Sequence, residues 1–187
     1  FLLRHRPAQR VSQEIMIIEI ADDTLKGLGR WPIPRSYHTD LIDALSKNGC
    51  RLIVFDILFS EPSGQDARLE QAMRDSGRVY LPFAFRLEHK QGEILAPEVL
   101  GGVADTLKGA VVGLGHINIF VDSDGKVRRL PLWIKRDKKP WPALGFVAAS
   151  HYLGKEPSDI AAPFNPGSGL WVNYPGAWLA TFRHFSY

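Results

Sequence analysis

The stretch RLIVFDILFSEP at residues 51–62 gives the first indication of how this chain folds. Its apolar residues run almost without interruption over residues 52–59, and the one carboxylate among them is Asp56. Such a run is typical of a strand that is buried on both faces, as in a parallel sheet. An ionised Asp in a buried strand is costly unless it is paired, hydrogen-bonded or metal-bound. We therefore expect Asp56 to be buried and bonded to Arg35, to the backbone of the loop at residues 31–35, or to both.

The segments around this strand predict a β-α-β-α-β order in the first half of the chain. An apolar run predicts a strand over residues 14–20, and apolar residues at helical spacing predict helices over 38–48 and 66–76. A third strand is predicted over residues 78–85. Strands joined through helices favour parallel pairing with right-handed crossovers. We therefore expect the three strands to be neighbours in one mainly parallel sheet.

The second half of the chain is less regular. Asp124-Gly125 lies between two apolar runs, and Asp-Gly in that position predicts an antiparallel hairpin. The other predicted elements are a weak helix over residues 97–108, strands over 113–120 and 127–134, a helix over 143–153 and a strand over 170–174. The predicted fold class is therefore α/β: a mainly parallel, doubly wound sheet with helices on both faces, plus an antiparallel hairpin in the second half.

Composition narrows the class of protein further. The chain has 187 residues, of which 45% are hydrophobic, enough for one sizeable core. The net charge of +3 is small and the basic residues are mostly scattered, so no nucleic-acid partner is expected. The single cysteine, Cys50, has no second cysteine to pair with, so disulfides do not hold the fold together.

The two ends of the sequence suggest a domain taken from a longer protein. No apolar run is long enough to cross a membrane. Phe1-Leu2-Leu3 before Arg4 is nevertheless compatible with the tail of a membrane helix that was cut off upstream. We expect residues 1–187 to form a single domain, with residues 1–13 as a membrane-proximal segment and a truncated C-terminal end.

Acidic residues at the predicted strand ends suggest one candidate function. Asp22, Asp56 and Glu61 could form a cluster that binds a divalent cation, as in magnesium-dependent hydrolases. A metal-dependent phosphoester hydrolase that uses Asp22 and Asp56 is therefore one hypothesis. The sequence has no Gly-rich phosphate loop, nucleophile elbow or His-Glu-x-x-His motif, so no cofactor is expected.

The loop before the first long helix suggests binding instead of catalysis. Pro32 and Pro34 favour an extended loop, and this loop carries the large side chains of Trp31 and Arg35. The loop is either a cover over the core or the wall of a binding site. His38 heads the apolar face of the next helix, where a packing role is favoured over a ligand-binding role because no metal-ligand spacing accompanies it.

The hairpin predicted in the second half carries two further candidates. Arg128 and Arg129 are adjacent in a strand and therefore face opposite sides, so one of them should point towards a carboxylate or an anionic ligand. Asp122 and Asp124 resemble the start of a calcium loop, but the remaining oxygen ligands of such a loop are missing. A plain turn is therefore favoured over a metal site at these two residues.

Several stretches, taken in order along the chain, resemble the second type of CHASE sensor domain. They are Glu19-Ile20-Ala21-Asp22-Asp23, residues 28–35, Asn48-Gly49-Cys50, residues 55–62, Asp66, Gly115-His116-Ile117-Asn118, residues 122–129 and Asn173-Tyr174-Pro175-Gly176. The chain departs from the family pattern at Ile33, where the family usually has a second Trp, and it ends before a further strand and loop of the family.

The resemblance implies an extracytoplasmic signal-sensing domain of a bacterial membrane receptor. In that family the domain follows one membrane helix, precedes several more, and controls a cytoplasmic cyclase, histidine kinase or diguanylate cyclase. The implied partners are an unidentified small-molecule or protein signal, the flanking membrane helices and a second copy of the chain in a homodimer. The resemblance thus implies a role without defining the chemistry of the signal.

Overall fold

The computed structural model describes residues 10–90, 93–160, 170–176 and 181–187. The chain divides into two units, which are described one at a time. The terminal unit comprises Phe1–Ile33 and Val172–Tyr187, and the central unit comprises Pro34–Trp171. Residues 1–9 of the predicted membrane-proximal segment lie outside the described residues. That residues 1–187 form a single domain stays a prediction.

The terminal unit contains two parallel strands from distant parts of the chain. Strand β1, Met16–Glu19, pairs in parallel with strand β10, Arg183–Ser186, and helix α1, Asp22–Leu28, follows β1. The hydroxyl of Ser186 donates to Asp23 at 2.8 Å, which links the end of β10 to the first turn of α1. The strand predicted over residues 14–20 is therefore confirmed.

The predicted neighbour of this first strand was wrong. We expected it to lie beside the strand of residues 52–59, but in the described part of the chain β1 pairs with β10. Strands that are so far apart in sequence leave no local pattern that reveals their pairing, and no strand was predicted at β10.

The sheet of the central unit is built around one long strand. Strand β3, Val79–Lys90, pairs in parallel with β2, Ile53–Val54, and with β5, Gly113–His116. The second half of β3 pairs in antiparallel orientation with β4, Glu93–Gly101. The parallel pairing predicted between the second and third strands of the chain is therefore confirmed.

Strand β2 is much shorter than the strand predicted over residues 52–59. Its last ladder bond runs from the N–H of Phe55 to the carbonyl of Tyr80, at 3.1 Å. The next bond of a parallel ladder would need an N–H at residue 82, which is Pro82 and has none. In the described sheet β2 is also an edge strand, so its side chains alternate between buried and exposed instead of being buried on both faces. The buried residues are Ile53, Phe55 and Phe59, and the exposed ones are Val54, Asp56 and Leu58.

Helices cover both faces of this sheet, as predicted. In the described residues they are α2 (Arg35–Lys47), α3 (Asp66–Ser76), α4 (Asp105–Lys108) and α5 (Leu144–Tyr152). Val79 and Leu81 of β3 pack in one core with residues of α2, α3 and α4. Tyr80 lies between them in sequence and packs against α5. Because successive residues of a strand face opposite sides, α5 covers the other face.

The predicted helix over residues 97–108 was mostly wrong. Strand β4 takes up its first part, and only the short helix α4 is helical. The extension of β3 beyond Phe85 supplies a pairing partner for β4, and such long-range pairing overrides a weak local helix preference.

The predicted hairpin is confirmed in a short form. Phe120 and Arg129 form an antiparallel bridge, and the N–H of Asp122 donates to the carbonyl of Lys126 at 2.8 Å. A second hairpin was not predicted, and its two-residue turn has positive φ angles of 50° at Asp137 and 64° at Lys138. The remaining elements are β6 (Arg129–Leu130), which pairs with β9 (Leu170–Trp171), β7 (Trp133–Arg136), which pairs with β8 (Lys139–Pro142), and a 3₁₀ turn at Pro157–Asp159. None of the helices in the described ranges is long and apolar enough to cross a membrane.

Candidate functional site

The start of helix α2 positions two of the residues that the sequence singled out. Pro34 immediately precedes the helix with a φ of −54°, which suits the helix entrance, and Arg35 is its first residue. The helix therefore begins three residues before the predicted start at His38. Because residues three apart lie on neighbouring positions of a helix surface, Arg35 and His38 share one side of α2.

The guanidinium of Arg35 makes three contacts, one with the first residue of α3 and two with the segment that connects β2 to α3. Its Nε donates to Oδ1 of Asp66 at 3.2 Å, and its Nη2 donates to the carbonyl of Glu61 at 2.9 Å. It also lies 4.5 Å from the centroid of the Phe59 ring, a cation–π distance. We refer to Arg35, His38, Phe59, Glu61 and Asp66 as the Arg35 cluster.

Asp66 is the buried carboxylate of this cluster. The residue is only 4% exposed. Besides the bond from Arg35, it accepts one from the N–H of Ser63 at 2.8 Å and one from the hydroxyl of Thr106 at 3.5 Å. The negative charge is therefore both paired and hydrogen-bonded, as burial of a carboxylate requires.

His38 is the buried base of the cluster. It is 2% exposed and makes edge contacts with the rings of Phe55 and Phe59, at centroid distances of 5.8 and 5.2 Å. Burial, and secondarily the positive charge of Arg35, lower the pKa of His38 to about 4. The imidazole is consequently neutral near pH 7.

The chemistry of the Arg35 cluster favours holding a segment in place over binding an anion. Asp66 neutralises the guanidinium of Arg35, and the carbonyl of Glu61 takes up another of its donors. Glu61 contributes only this backbone oxygen to the described contacts, and the residue itself is exposed. The cluster therefore connects α2, the β2–α3 segment and α3 in one arrangement.

The prediction that Asp56 is buried and bonded to Arg35 was wrong. Asp56 is exposed and makes no hydrogen bond or ion pair with the described residues, because it lies on the exposed side of the segment that follows β2. Asp66 is the actual partner of Arg35. Asp66 is the first residue of α3, and its position at the start of a predicted helix gave no sign that it would pair with Arg35.

Asp22 and Trp31 belong to the terminal unit. Asp22 is the exposed first residue of α1, and Trp31 is 52% exposed. Within the described ranges, no group of three or more His, Cys, Asp or Glu residues could hold a metal ion. The roles of these two residues in ligand binding stay predictions.

Arg128 and Arg129 both bind carboxylates of their own hairpin. Arg128 donates to both oxygens of Asp124, at 2.8 and 2.7 Å, and to Asp122 at 2.9 Å. Arg129 donates to the other oxygen of Asp122 at 3.2 Å and lies 5.8 Å from the ring centroid of Trp171. The bonds from Arg128 lower the pKa of Asp124 to about 2. These carboxylates are thus paired with arginines in the described structure, and binding of an external ligand by either arginine stays a prediction.

One buried polar residue was not singled out from the sequence. His116, at the end of β5, is 1% exposed, and neither of its ring nitrogens has a hydrogen-bond partner among the described residues. It lies opposite Phe83 in the parallel ladder. Burial alone lowers its pKa to about 4. The signals for it in the sequence were its position in the strand predicted over residues 113–120 and in the stretch Gly115-His116-Ile117-Asn118.

Comparison with known proteins identifies the family. The model of the CHASE2 domain matches residues 1–187, the whole chain. No curated protein and no solved structure matches it. CHASE2 domains are extracytoplasmic sensor domains and are not catalytic themselves. The chain therefore belongs to the CHASE2 family, as its sequence motifs indicated.

Proposed function

We propose that this chain is the extracytoplasmic signal-sensing domain of a bacterial transmembrane receptor that controls a cytoplasmic cyclase, histidine kinase or diguanylate cyclase. The observation that carries the proposal is the family match over the whole chain. Membrane helices on both sides of the domain and a homodimeric receptor are parts of the same proposal.

The pairing of β1 with β10 supports a role in transmitting a signal. In a receptor with membrane helices on both sides, β1 would follow the first helix and β10 would precede the next. Four residues of each strand are paired, and the N–H of Tyr187 adds a bond to the carbonyl of Glu19 at 3.0 Å. The imidazole of His184 also contacts the carboxylate of Glu19. A displacement of one strand would therefore be transmitted to the other.

The signal would act by favouring one of two arrangements of the domain. A ligand shifts such an equilibrium only if it binds the two arrangements with different affinity. Trp31 is a candidate contact because a large, half-exposed aromatic side chain is typical of recognition surfaces. The Arg35 cluster is a candidate element for such a change, since it connects the start of α2 to the β2–α3 segment and to the first residue of α3.

The test is the output of the intact receptor in cells, measured through its second messenger or phosphorylated product. Trp31→Ala and Arg35→Lys are the test variants, and Arg68→Ala is the control because Arg68 makes an exposed ion pair with Asp40 on the same two helices. We expect both test variants to change the output while the control does not. An unchanged output for both test variants, in receptors that reach the membrane at normal levels, would contradict the proposed site.

A further inference from the structure

We propose that the tip of the β7–β8 hairpin, residues 135–139, docks the domain on the anionic phospholipid surface of a membrane. The proposal rests on the proposed function, because that function places the domain beside a bilayer. It adds a contact surface and the chemical class of its partner.

The first support is the distribution of charge along the chain. The hairpin tip contains one carboxylate, Asp137, and four cations, Lys135, Arg136, Lys138 and Lys139. Its net charge of +3 equals the net charge of the whole chain, so the remaining residues are neutral on balance. The excess positive charge of this protein is therefore concentrated at the end of one hairpin.

The second support is the arrangement of these cations in the hairpin. Asp137 and Lys138 form a two-residue turn with positive φ angles, so the cations lie close together. Arg136 and Lys139 are directly opposite each other in the ladder, where like charges are destabilising. Among the four cations only Arg136 has an ion-pair partner in the described part of the chain, the adjacent Asp137 at 3.4 Å. A negatively charged surface outside the chain would offset this repulsion.

The third support is the attachment of the hairpin to the core. Ile134 and Trp141 are paired across the ladder and pack in one hydrophobic cluster with Phe85. The guanidinium of Arg136 lies 5.8 Å from the ring centroid of Phe85, and Nζ of Lys139 lies 4.4 Å from that of Trp141. The cations are therefore held at defined positions, so less conformational freedom is lost when they bind a partner.

The exposure of the hairpin tip favours an extended surface over a small ligand. Residues 137–140 are all exposed, and so is Lys135. A small anion is usually bound in a concave site where several polar groups converge. A bilayer instead presents many phosphate groups across a plane, which an exposed turn can contact. Each basic residue near an anionic membrane strengthens binding roughly 5-fold, so the three lysines together contribute on the order of 100-fold.

The experiment is sedimentation of the purified chain with lipid vesicles. The vesicles consist of phosphatidylcholine alone or of equal parts of phosphatidylcholine and phosphatidylglycerol, which is anionic. Binding is measured at an ionic strength of about 10 mM, where charges act over about 30 Å, and again at about 150 mM, where they act over about 8 Å.

Two variants that lose the same number of charges are compared with the wild type. The tip variant carries Lys135→Gln, Lys138→Asn and Lys139→Gln. Asn is chosen at residue 138 because it adopts positive φ angles more readily than most residues. The control variant replaces three exposed lysines elsewhere in the central unit and carries Lys47→Gln, Lys126→Gln and Lys155→Gln. Both variants therefore lose three positive charges from the same unit.

We expect the wild type and the control variant to bind the phosphatidylglycerol vesicles at low ionic strength. The tip variant should bind them with a partition coefficient on the order of 100-fold lower. Binding should weaken at the higher ionic strength and be absent with phosphatidylcholine alone. In NMR spectra of the wild type, the amide signals of residues 135–139 should respond to phosphatidylglycerol nanodiscs and not to glycerol phosphate at the same phosphate concentration.

Three results would overturn the proposal. One is an equal loss of binding in the tip variant and the control variant, which would show that only total charge matters. Another is a response of the tip signals to glycerol phosphate as large as the response to the nanodiscs, which would indicate a site for a free anion. The third is a wild type that does not bind phosphatidylglycerol vesicles at low ionic strength. Should the tip variant fail to fold, the NMR measurement on the wild type still decides. These failures would leave the sensor function standing, since the output of the receptor in cells tests that function separately.

Discussion

Replacing Asp66 by Ala removes the carboxylate on which the Arg35 cluster depends. The variant leaves Arg35 without its ion-pair partner and removes the acceptor for the N–H of Ser63 and the hydroxyl of Thr106. Since a largely buried cation is left unpaired, we expect Asp66→Ala to destabilise the chain strongly.

The magnitude follows from how deeply the pair is buried. Breaking a buried ion pair by removing one partner costs about 3–5 kcal/mol. The side chains of Arg35 and Asp66 are 15% and 5% exposed, so some hydration of the guanidinium persists. We therefore expect Asp66→Ala to lower the free energy of unfolding by about 3 kcal/mol, near the lower end of that range. Asp40→Ala breaks a pair between the same two helices whose side chains are 65% and 63% exposed, and it should cost less than about 1 kcal/mol.

The assay is urea unfolding at pH 7, followed by circular dichroism, on the wild type and on both aspartate variants. The free energy of unfolding should fall by about three times as much for Asp66→Ala as for Asp40→Ala, or more. A double-mutant cycle with Arg35→Met isolates the part that comes from the pair itself. Equal and small losses for the two aspartate variants would refute the conclusion that the Arg35–Asp66 pair holds this part of the fold.

Three other predictions follow from single features of the central unit. His38 and His116 have pKa values of about 4 in the folded chain, against an ordinary value of 6.5. As the pH falls from 6.5 to 4, each of them should therefore lower the free energy of unfolding by up to about 1.4 kcal/mol per pH unit, and urea unfolding at several pH values measures this loss. Gly115→Ala should destabilise the chain by roughly 1–3 kcal/mol, because a Cβ at this position would lie 2.4 Å from the backbone of α5. Gly145→Ala is the control: it lies on that helix in open space and should stabilise the chain by up to about 1 kcal/mol in thermal unfolding. Asn118→Ala should cost about 1–3 kcal/mol and increase amide exchange at residue 85 of β3, whose N–H and C=O both bond to the Asn118 side chain at 3.0 and 2.7 Å.

Elements with strong local signals were predicted well. Helix α3 has the predicted bounds, Asp66–Ser76, because its apolar spacing is helical and Gly77 ends it in the left-handed conformation, with a φ of 57°. Helix α5 and the turn at Asp124-Gly125 were identified for similar reasons. In each case the residues that determine the structure are close together in the sequence.

Features that depend on distant partners could not be predicted in this way. The pairing of β1 with β10 joins residues more than 160 positions apart. A hydrogen bond in the same unit, between Thr24 and Ser186, spans 162 positions. The length of β2 depends on Pro82 in the neighbouring strand, so the strand predicted from the apolar run alone was too long.

In the candidate site, too, local features were predicted and distant partners were not. His38 was placed correctly in the first turns of a helix, whereas Arg35 was assigned to the preceding loop and is in fact the first residue of that helix. Both residues were singled out as candidates, and both lie in one cluster of the structure. The partner of Arg35 was predicted to be Asp56, ten residues away from the actual partner, Asp66. Which of two carboxylates faces a given arginine depends on where the strand ends and the helix begins, and periodicity alone does not determine those boundaries.

The location of the domain tests the central claim most directly. Alkaline phosphatase, which is active only outside the cytoplasm, and green fluorescent protein, which is fluorescent only inside it when exported in unfolded form, are each fused after Tyr187 in the full-length gene. We predict an active phosphatase fusion and a dark fluorescent-protein fusion. An inactive phosphatase fusion together with a fluorescent second fusion would place the domain in the cytoplasm and contradict its role as an extracytoplasmic sensor.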